Sequence, residues 1–190
     1  MIVIIVSLTD VFCFFFFNDT ATTEIYTLSL QTLFRSPKSA WHKINKKPDI
    51  IILEGWCVGA KAQSNKQLIK AVNSEEKAKD HKMIWRKYVN NQLKNKYKKL
   101  FNQLNCLIYL KVKNFSLLQN WRLMQEKKLW LSSKKKKNLK IMSKGDVINF
   151  MQTYQRITQN MFKETPKYAS IILKLTSNHQ IKSMIYKKNY

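Results

Sequence analysis

The chain has 190 residues, 45% of them hydrophobic, enough for one packed domain and too apolar for a chain disordered by composition. Thirty-five Lys and Arg against eleven Asp and Glu give a net charge of +24, so nucleic acid, anionic surfaces and phosphorylated ligands are the partners that charge alone admits. The lysines spread over every expected helix instead of forming one stripe, the pattern of solvated faces. Cys13, Cys57 and Cys106 are odd in number and far apart, and His42, His81 and His179 are equally scattered, so neither a disulfide framework nor a zinc site follows.

Met1–Val6 (MIVIIV) and Val11–Phe17 (VFCFFFF) are intensely apolar. No basic residues precede them, as a signal peptide requires. Ser7, Thr9 and Asp10 interrupt them before the roughly 18 apolar residues of a membrane helix accumulate. A cytoplasmic protein without a membrane partner is the expectation. Phe14–Leu30 (FFFFNDTATTEIYTLSL) resembles the conceptual translation of a sequencing adapter, a likeness that fades within Gln31–Ser36. It implies that residues 1–36 are a non-native segment and that residues 37–190 carry the protein proper. After Pro37, Lys-rich sequence around Trp41 and Ile44 predicts a short helix.

Pro48 to Gly59 reads PDIIILEGWCVG. Four consecutive apolar residues, Ile50–Leu53, bounded by Asp49 and the Glu54–Gly55 pair, predict a strand buried on both faces, as in parallel sheets. A carboxylate and a glycine at the carboxyl end of such a strand stand where open α/β sheets bind ligands. Glu54 is therefore a candidate site residue as well as a strand terminator.

Ala60–Asp80 is polar, with Leu68, Ile69 and Val72 as anchors, and predicts a loop or short helix. Trp85, Tyr88, Val89, Leu93, Tyr97, Leu100 and Phe101 recur at steps of three and four, predicting one long amphipathic helix that ends in Asn102–Asn105. Cys106–Val112 predicts a second buried strand. Leu117, Leu118, Trp121, Met124, Lys128 and Leu129 mark another helix. Ser132–Lys140 (SSKKKKNLK) reads either as a solvated connection or as a basic lid over phosphates. Ser143 with Asp146 three residues on predicts a capping box opening a helix with Val147, Ile148, Met151, Tyr154, Thr158, Met161 and Phe162 on its buried side and Pro166 as its stop. Ser170–Leu175 predicts a third strand, followed by a polar, Lys-rich tail. Strands separated by helices of this length predict an α/β fold with a parallel sheet.

PDIIILEGWCVGA, WRKYVNNQLKNKYKKLF, NWRLMQEKKL and MSKGDVINFMQTYQRIT, in that order, resemble the C-terminal part of the D-glycerate 3-kinase family, P-loop kinases related in fold to uridine kinases. The likeness runs from about Pro37 to Ile181. It implies a P-loop-kinase-type parallel sheet flanked by helices and transfer of a phosphoryl group from ATP to a hydroxyl of glycerate, with Mg²⁺ as the metal. Ile50–Leu53 would carry a Walker B-type acid, Glu54, which would hold magnesium, directly or through water, or polarise the acceptor hydroxyl. Arg122 would be a lid arginine on the transferring phosphate, since a planar donor fork matches phosphate oxygens. Arg86 and Asn90 would line the acceptor site, and Arg156 would brace the fold. ATP and a small hydroxy acid are the implied partners.

The 190 residues contain no G-x-x-x-x-G-K-[ST], and the first glycine is Gly55. That loop supplies the N–H cradle, the phosphate-binding lysine and the magnesium-binding hydroxyl, so the chain as written is expected to be inactive and its sheet to lack the native P-loop strand. In the family that strand lies between those matching Ile50–Leu53 and Leu107–Val112. Met1–Val6 is apolar and β-branched enough to fill the slot. The alternative reading is a non-enzymatic basic protein that binds nucleic acid or an anionic surface, although no DNA- or RNA-binding motif accompanies the charge.

Overall fold

The computed structural model describes residues 2–6, 51–133 and 142–187. The adapter-like segment, the boundary near residue 36, the helix expected around Trp41 and most of the basic loop 132–140 lie outside them. Five strands form one sheet in the order β2-β1-β3-β4-β5: β1 (Ile2–Val6), β2 (Ile51–Gly55), β3 (Cys106–Lys111), β4 (Ile171–Leu175) and β5 (Ile181–Tyr186). The helices are α1 (Asn65–Ile69), α2 (Ser74–Lys79), α3 (Ile84–Gln92), α4 (Lys98–Phe101), α5 (Phe115–Ser133) and α6 (Lys144–Tyr168). The fold is α/β, and the three strands expected from the apolar runs are β2, β3 and β4.

These three run in one direction. β3 and β4 are parallel, with Ile108 opposite Ile171, while β1 is antiparallel to both β2 and β3. Residues 2–6 therefore occupy the slot between β2 and β3, as their composition suggested, but reversed. Ile2 lies opposite Gly55 and Tyr109, and Val6 opposite Ile51. The sheet is thus mixed where a parallel one was expected. The physical reason is that an antiparallel strand satisfies both neighbours' backbone groups as well as a parallel one does.

One core cluster packs Leu107, Tyr109 and Ile172 of the sheet against Leu93, Met161 and Ala169. A second joins Phe115 of α5 to Val147 and Met151 of α6, with Trp56 beside them. Gly59 shows why glycine ends the turn after β2. Its φ is +79°, and a Cβ there would stand 3.1 Å from Leu107 side-chain carbons. Ser143 opens α6 as expected: its hydroxyl accepts the Asp146 N–H at 3.1 Å and its own N–H donates to Asp146 Oδ2 at 3.0 Å.

Five further expectations are corrected. Pro166 lies inside α6, which runs on to Tyr168, because only one ladder donor is lost and the Ala169 N–H still reaches Thr165 O at 2.9 Å. The polar tail forms β5, pairing with β4 around a tight turn. The long helix is broken by a π-helical turn at Leu93–Tyr97. Its aromatic residues also face outward: Trp85 is 61% and Tyr88 55% exposed, while Arg86 and Asn90 are buried. Likewise Met124 of α5 is exposed and Glu126 buried.

Ile4 pairs with Leu53 on one side and Leu107 on the other. Ile4→Pro, which removes a ladder donor from the middle of the sheet, is expected to destabilise by at least about 1–3 kcal/mol through the orphaned acceptor alone. Urea denaturation checks this, and an unchanged midpoint would place β1 outside the folded sheet.

Candidate functional site

β2, β3 and β4 end at one edge of the sheet, the edge beyond which open α/β sheets bind ligands. Glu54 is the last residue but one of β2, in register with Val3. Its side chain lies outside the described ones. The chain beyond it, from Trp56 to Gln63, is fastened along its length. Trp56 Nε1 donates to Thr158 Oγ1 at 2.9 Å, and its ring stacks on Tyr154 with centroids 5.5 Å apart. The Tyr168 hydroxyl donates to the Gly59 carbonyl at 2.8 Å, and Asn160 Nδ2 to the Lys61 carbonyl at 3.1 Å. Asn90 grips Gln63 twice, its Oδ1 accepting the backbone N–H at 2.7 Å and its Nδ2 donating to the carbonyl at 3.0 Å. Helices α3 and α6 thereby set the path of the loop that follows the candidate acid.

The polar centre beneath α3 is built from two acids and two arginines. Asp80 accepts the N–H groups of Trp85 (2.9 Å) and Arg86 (3.1 Å), two of the donors that the first turn of α3 leaves without helical partners. Arg86 folds back on it, Nε donating to Asp80 Oδ2 at 2.8 Å and Nη2 to the Asp80 carbonyl at 2.6 Å. Its other donors reach the carbonyls of Leu68 and Glu76, both at 3.2 Å. Arg156 of α6 holds Glu76 through both carboxylate oxygens, at 2.7 and 2.6 Å, and donates to the carbonyls of Gln67 and Lys70 at 3.0 and 2.7 Å. Arg86 Nη1 stands 3.6 Å from Glu76 Oε2. Two carboxylates thus balance two buried guanidiniums, and one acid ties α2, α3 and α6 together. An open depression of about 420 Å³, counted out to the solvent, is lined by Lys61, Glu76, Trp85, Arg86, Asn90 and Arg156, among others.

Burial pushes the Glu76 carboxyl up, but the hydrogen bonds from Arg156 and the Val72 N–H, with the charges of Arg156 and Arg86, outweigh it and hold the group below its ordinary value of 4.5. Asp80 is likewise held below 3.8: against its burial stand the hydrogen bonds from the Arg86 side chain and from the Trp85 and Arg86 N–H groups. Burial pushes the Cys57 thiol up to about 12, which makes it a packing residue and not a nucleophile.

Arg122 lies on α5 in an ion pair with Glu126, the two side chains being 10% and 6% exposed. Beside it, Trp121 Nε1 donates to the Ser177 carbonyl at 2.9 Å and the indole stacks on His179 at 3.9 Å. His179 holds a φ of +63°, so the stack fixes a turn that a side-chain-bearing residue seldom adopts unaided. The early part of α5 is therefore anchored to the β4–β5 turn.

Of the expected site residues, Arg86 and Asn90 come together one helical turn apart, both turned inward. Arg156 braces the fold as expected. Glu76, Asp80 and Asn160 were not singled out by the sequence, and Thr158 only as a position on the buried side of its helix. The usable signal was scarcity, since Glu75, Glu76 and Asp80 are three of only eleven acids and stand just before Arg86. Among the described residues, no group of three or more His, Cys, Asp or Glu is placed to hold a metal ion, and no helix is long and apolar enough to cross a membrane.

Glu76→Gln would leave two buried guanidiniums short of a counter-charge, a loss of about 3–5 kcal/mol by analogy with broken buried pairs. Because the folded-state carboxyl sits below its ordinary value, its contribution is complete above pH 4.5 and declines as pH falls through the lower folded value. The difference in stability between the wild type and Glu76→Gln should therefore shrink on acidification from pH 7 to below 4.5, as read by chemical denaturation; a difference independent of pH would contradict the clamp.

No family model matches the chain. Over 122 residues it is 30% identical to a Schizosaccharomyces pombe protein described as the uncharacterized kinase mug58, a match spanning 63% of this chain and 41% of that one. It is also similar to the solved structure of D-glycerate 3-kinase from Cryptococcus neoformans, at 19% identity and a TM-score of 0.49, over 73% of this chain and 53% of that one. A likeness at that score fixes neither fold nor function. The chain spans less than half the length of the curated relative it matches and about half of the solved chain.

Proposed function

We propose that this chain carries the C-terminal part of a small-molecule kinase that transfers a phosphoryl group from Mg-ATP to a hydroxyl of glycerate. The observation that carries the reading is the shared edge of β2, β3 and β4, with Glu54 at the end of β2. The sequence match to a protein named as a kinase supports the same class. In that reading Glu54 is the acid near the magnesium or the acceptor hydroxyl, and the pinned loop after it holds the acid's backbone in place. Phosphoryl transfer asks mainly for such positioning and for charge at the phosphate oxygens. Arg86 and Asn90 then act on the site from behind, by holding α2 and the 56–63 loop, and their donors are engaged within the protein.

The described residues do not fit Mg-ATP. A phosphate cradle needs a central strand that ends at the site edge and leads through a loop into a helix N-terminus. β1 runs the other way: Ile2 stands at that edge beside Gly55, and Val6 ends at the opposite one beside Ile51. Arg122 is paired with Glu126. The 190-residue chain is therefore proposed to be inactive. Every helix carries exposed lysines, so the net charge singles out no one face for nucleic acid.

Purified chain incubated with Mg-ATP and D-glycerate is expected to release no ADP above a blank. Exchanging residues 1–36 for a kinase N-terminal half with strand, G-x-x-x-x-G-K-[ST] loop and helix is expected to give glycerate-dependent ADP release. Glu54→Gln should then lower that rate by about a hundredfold or more, the scale of lost electrostatic stabilisation. Turnover by the unmodified chain would refute the inactivity, and a folded exchange chain silent with every hydroxy acid would refute the kinase assignment.

A further inference from the structure

β5 is the outermost strand of the sheet, and all six of its residues are exposed. The sequence alternates so that neither face is polar. Ile181 is 61%, Met184 50%, Ile185 38% and Tyr186 66% exposed, an apolar surface on both sides of a strand whose outer edge, among the described residues, pairs with no other strand. Which backbone groups point outward follows from the ladder. The Lys187 N–H donates inward to Ser170 O at 2.9 Å, so by antiparallel alternation Ile185 and Ser183 also face β4, opposite Ile172 and Lys174. The N–H and C=O groups of Met184 and Tyr186 face away from the sheet.

Natural sheets blunt such edges with bulges, prolines, lysines or cover, and of these β5 carries one lysine, Lys182, within its length. Here the irregularity in the β4–β5 pairing lies at Lys174/Leu175, beside the turn, and leaves Met184–Tyr186 regular. Near the edge the one carboxylate among the described residues, Glu164, is already paired with Lys167 at 2.7 Å, which leaves lysines as the remaining charge. From Thr165 to Tyr190 the sequence holds Lys167, Lys174, Lys182, Lys187 and Lys188 and no Asp or Glu.

We propose that the outer edge of β5 takes an extended, acidic segment of another protein as the next strand of the sheet. An exposed backbone ladder is satisfied by a polypeptide main chain and by nothing in a nucleic acid, so the partner is a peptide segment. Its carboxylates answer the lysines, and its alternate apolar side chains cover Met184 and Tyr186 on one face and Ile181 and Ile185 on the other. A second copy of this chain is the poorer occupant, because pairing β5 with itself brings the lysines of both copies to one ladder with no carboxylate between them. The inference is independent of the kinase assignment.

The test uses the full chain and a fluorescein-labelled peptide of about ten residues, alternating Glu and Val, the length of a generous strand. Anisotropy should show saturable binding that the matching Lys-Val peptide lacks and that weakens as salt rises. Met184→Pro removes an outward N–H while leaving the inward ladder to β4, and should weaken binding at least about tenfold, one lost and one uncovered hydrogen-bonding group. Lys182→Glu leaves the backbone untouched and should weaken it about threefold, the scale of one exposed charge pair. Equal affinity of wild type and both variants would overturn the proposal. So would binding of the Lys-Val peptide as tightly as the Glu-Val one. Sedimentation showing a dimer that Met184→Pro dissolves would assign the edge to a second copy instead, and displacement of the peptide by an oligonucleotide with the same sensitivity to Met184→Pro would assign it to nucleic acid.

Discussion

Between β2 and β3 lies a gap one strand wide, and the backbone groups of both strands face into it. Each such group left without a partner costs free energy on the scale of a lost hydrogen bond. Five residues, Ile2–Val6, satisfy both walls at once. With the gap filled, Leu107 and Tyr109 have a continuous sheet beneath them, and the core cluster of Leu93, Met161, Ala169 and Ile172 can form against it. The direction of the filling strand decides the chemistry. A strand entering from the site edge can hold the sheet together, but it cannot deliver a phosphate-binding loop to that edge. Folding and catalysis are thereby separated: the same slot meets the first need and fails the second.

Behind the sheet edge a second constraint operates, this one polar. Glu76 and Asp80 are held by Arg86 and Arg156, and the bonds from these arginines run mainly to backbone carbonyls of Leu68, Gln67, Lys70 and Asp80. Those carbonyls belong to the polar stretch after the 56–63 loop, which buries little besides Leu68. Short helices of this kind are marginal by themselves, so the guanidiniums substitute for a hydrophobic core. Asn90, Asn160, Thr158 and Tyr168 continue the pattern up to the residues that follow Glu54. The region near the candidate acid is a braced wall.

Much of this was legible beforehand. β2, β3 and β4 follow from short apolar runs, and the Ser143–Asp146 capping box marks the start of α6 to the residue. Residues 2–6 could be assigned to the empty slot from composition. Their direction could not, because alternating side chains carry no information about which way a strand runs. Arg86 and Asn90 were recognisable as a motif, but their inward orientation depends on Glu76 and Asp80, acids on a neighbouring segment that a helical period cannot register. The outward turn of Trp85 and Tyr88 follows from the same cause, since burying one polar face of α3 exposes its aromatic one. β5 was hidden by Lys182 within it and by the polar residues on either side, Thr176–Gln180 and Lys187–Asn189, which together read as a tail. Arg122 fits a phosphate-binding motif by sequence, and its pairing with Glu126 one turn away is the ordinary i, i+4 neighbour relation.

The reversed strand is the claim on which the rest turns, and backbone NMR tests it directly. Antiparallel cross-strand contacts, including Hα–Hα contacts, are expected to link residues 2–6 to both 51–55 and 106–109, in the register that sets Ile4 opposite Leu53 and Leu107. Contacts in a parallel register, or none between residues 2–6 and either strand, would contradict it.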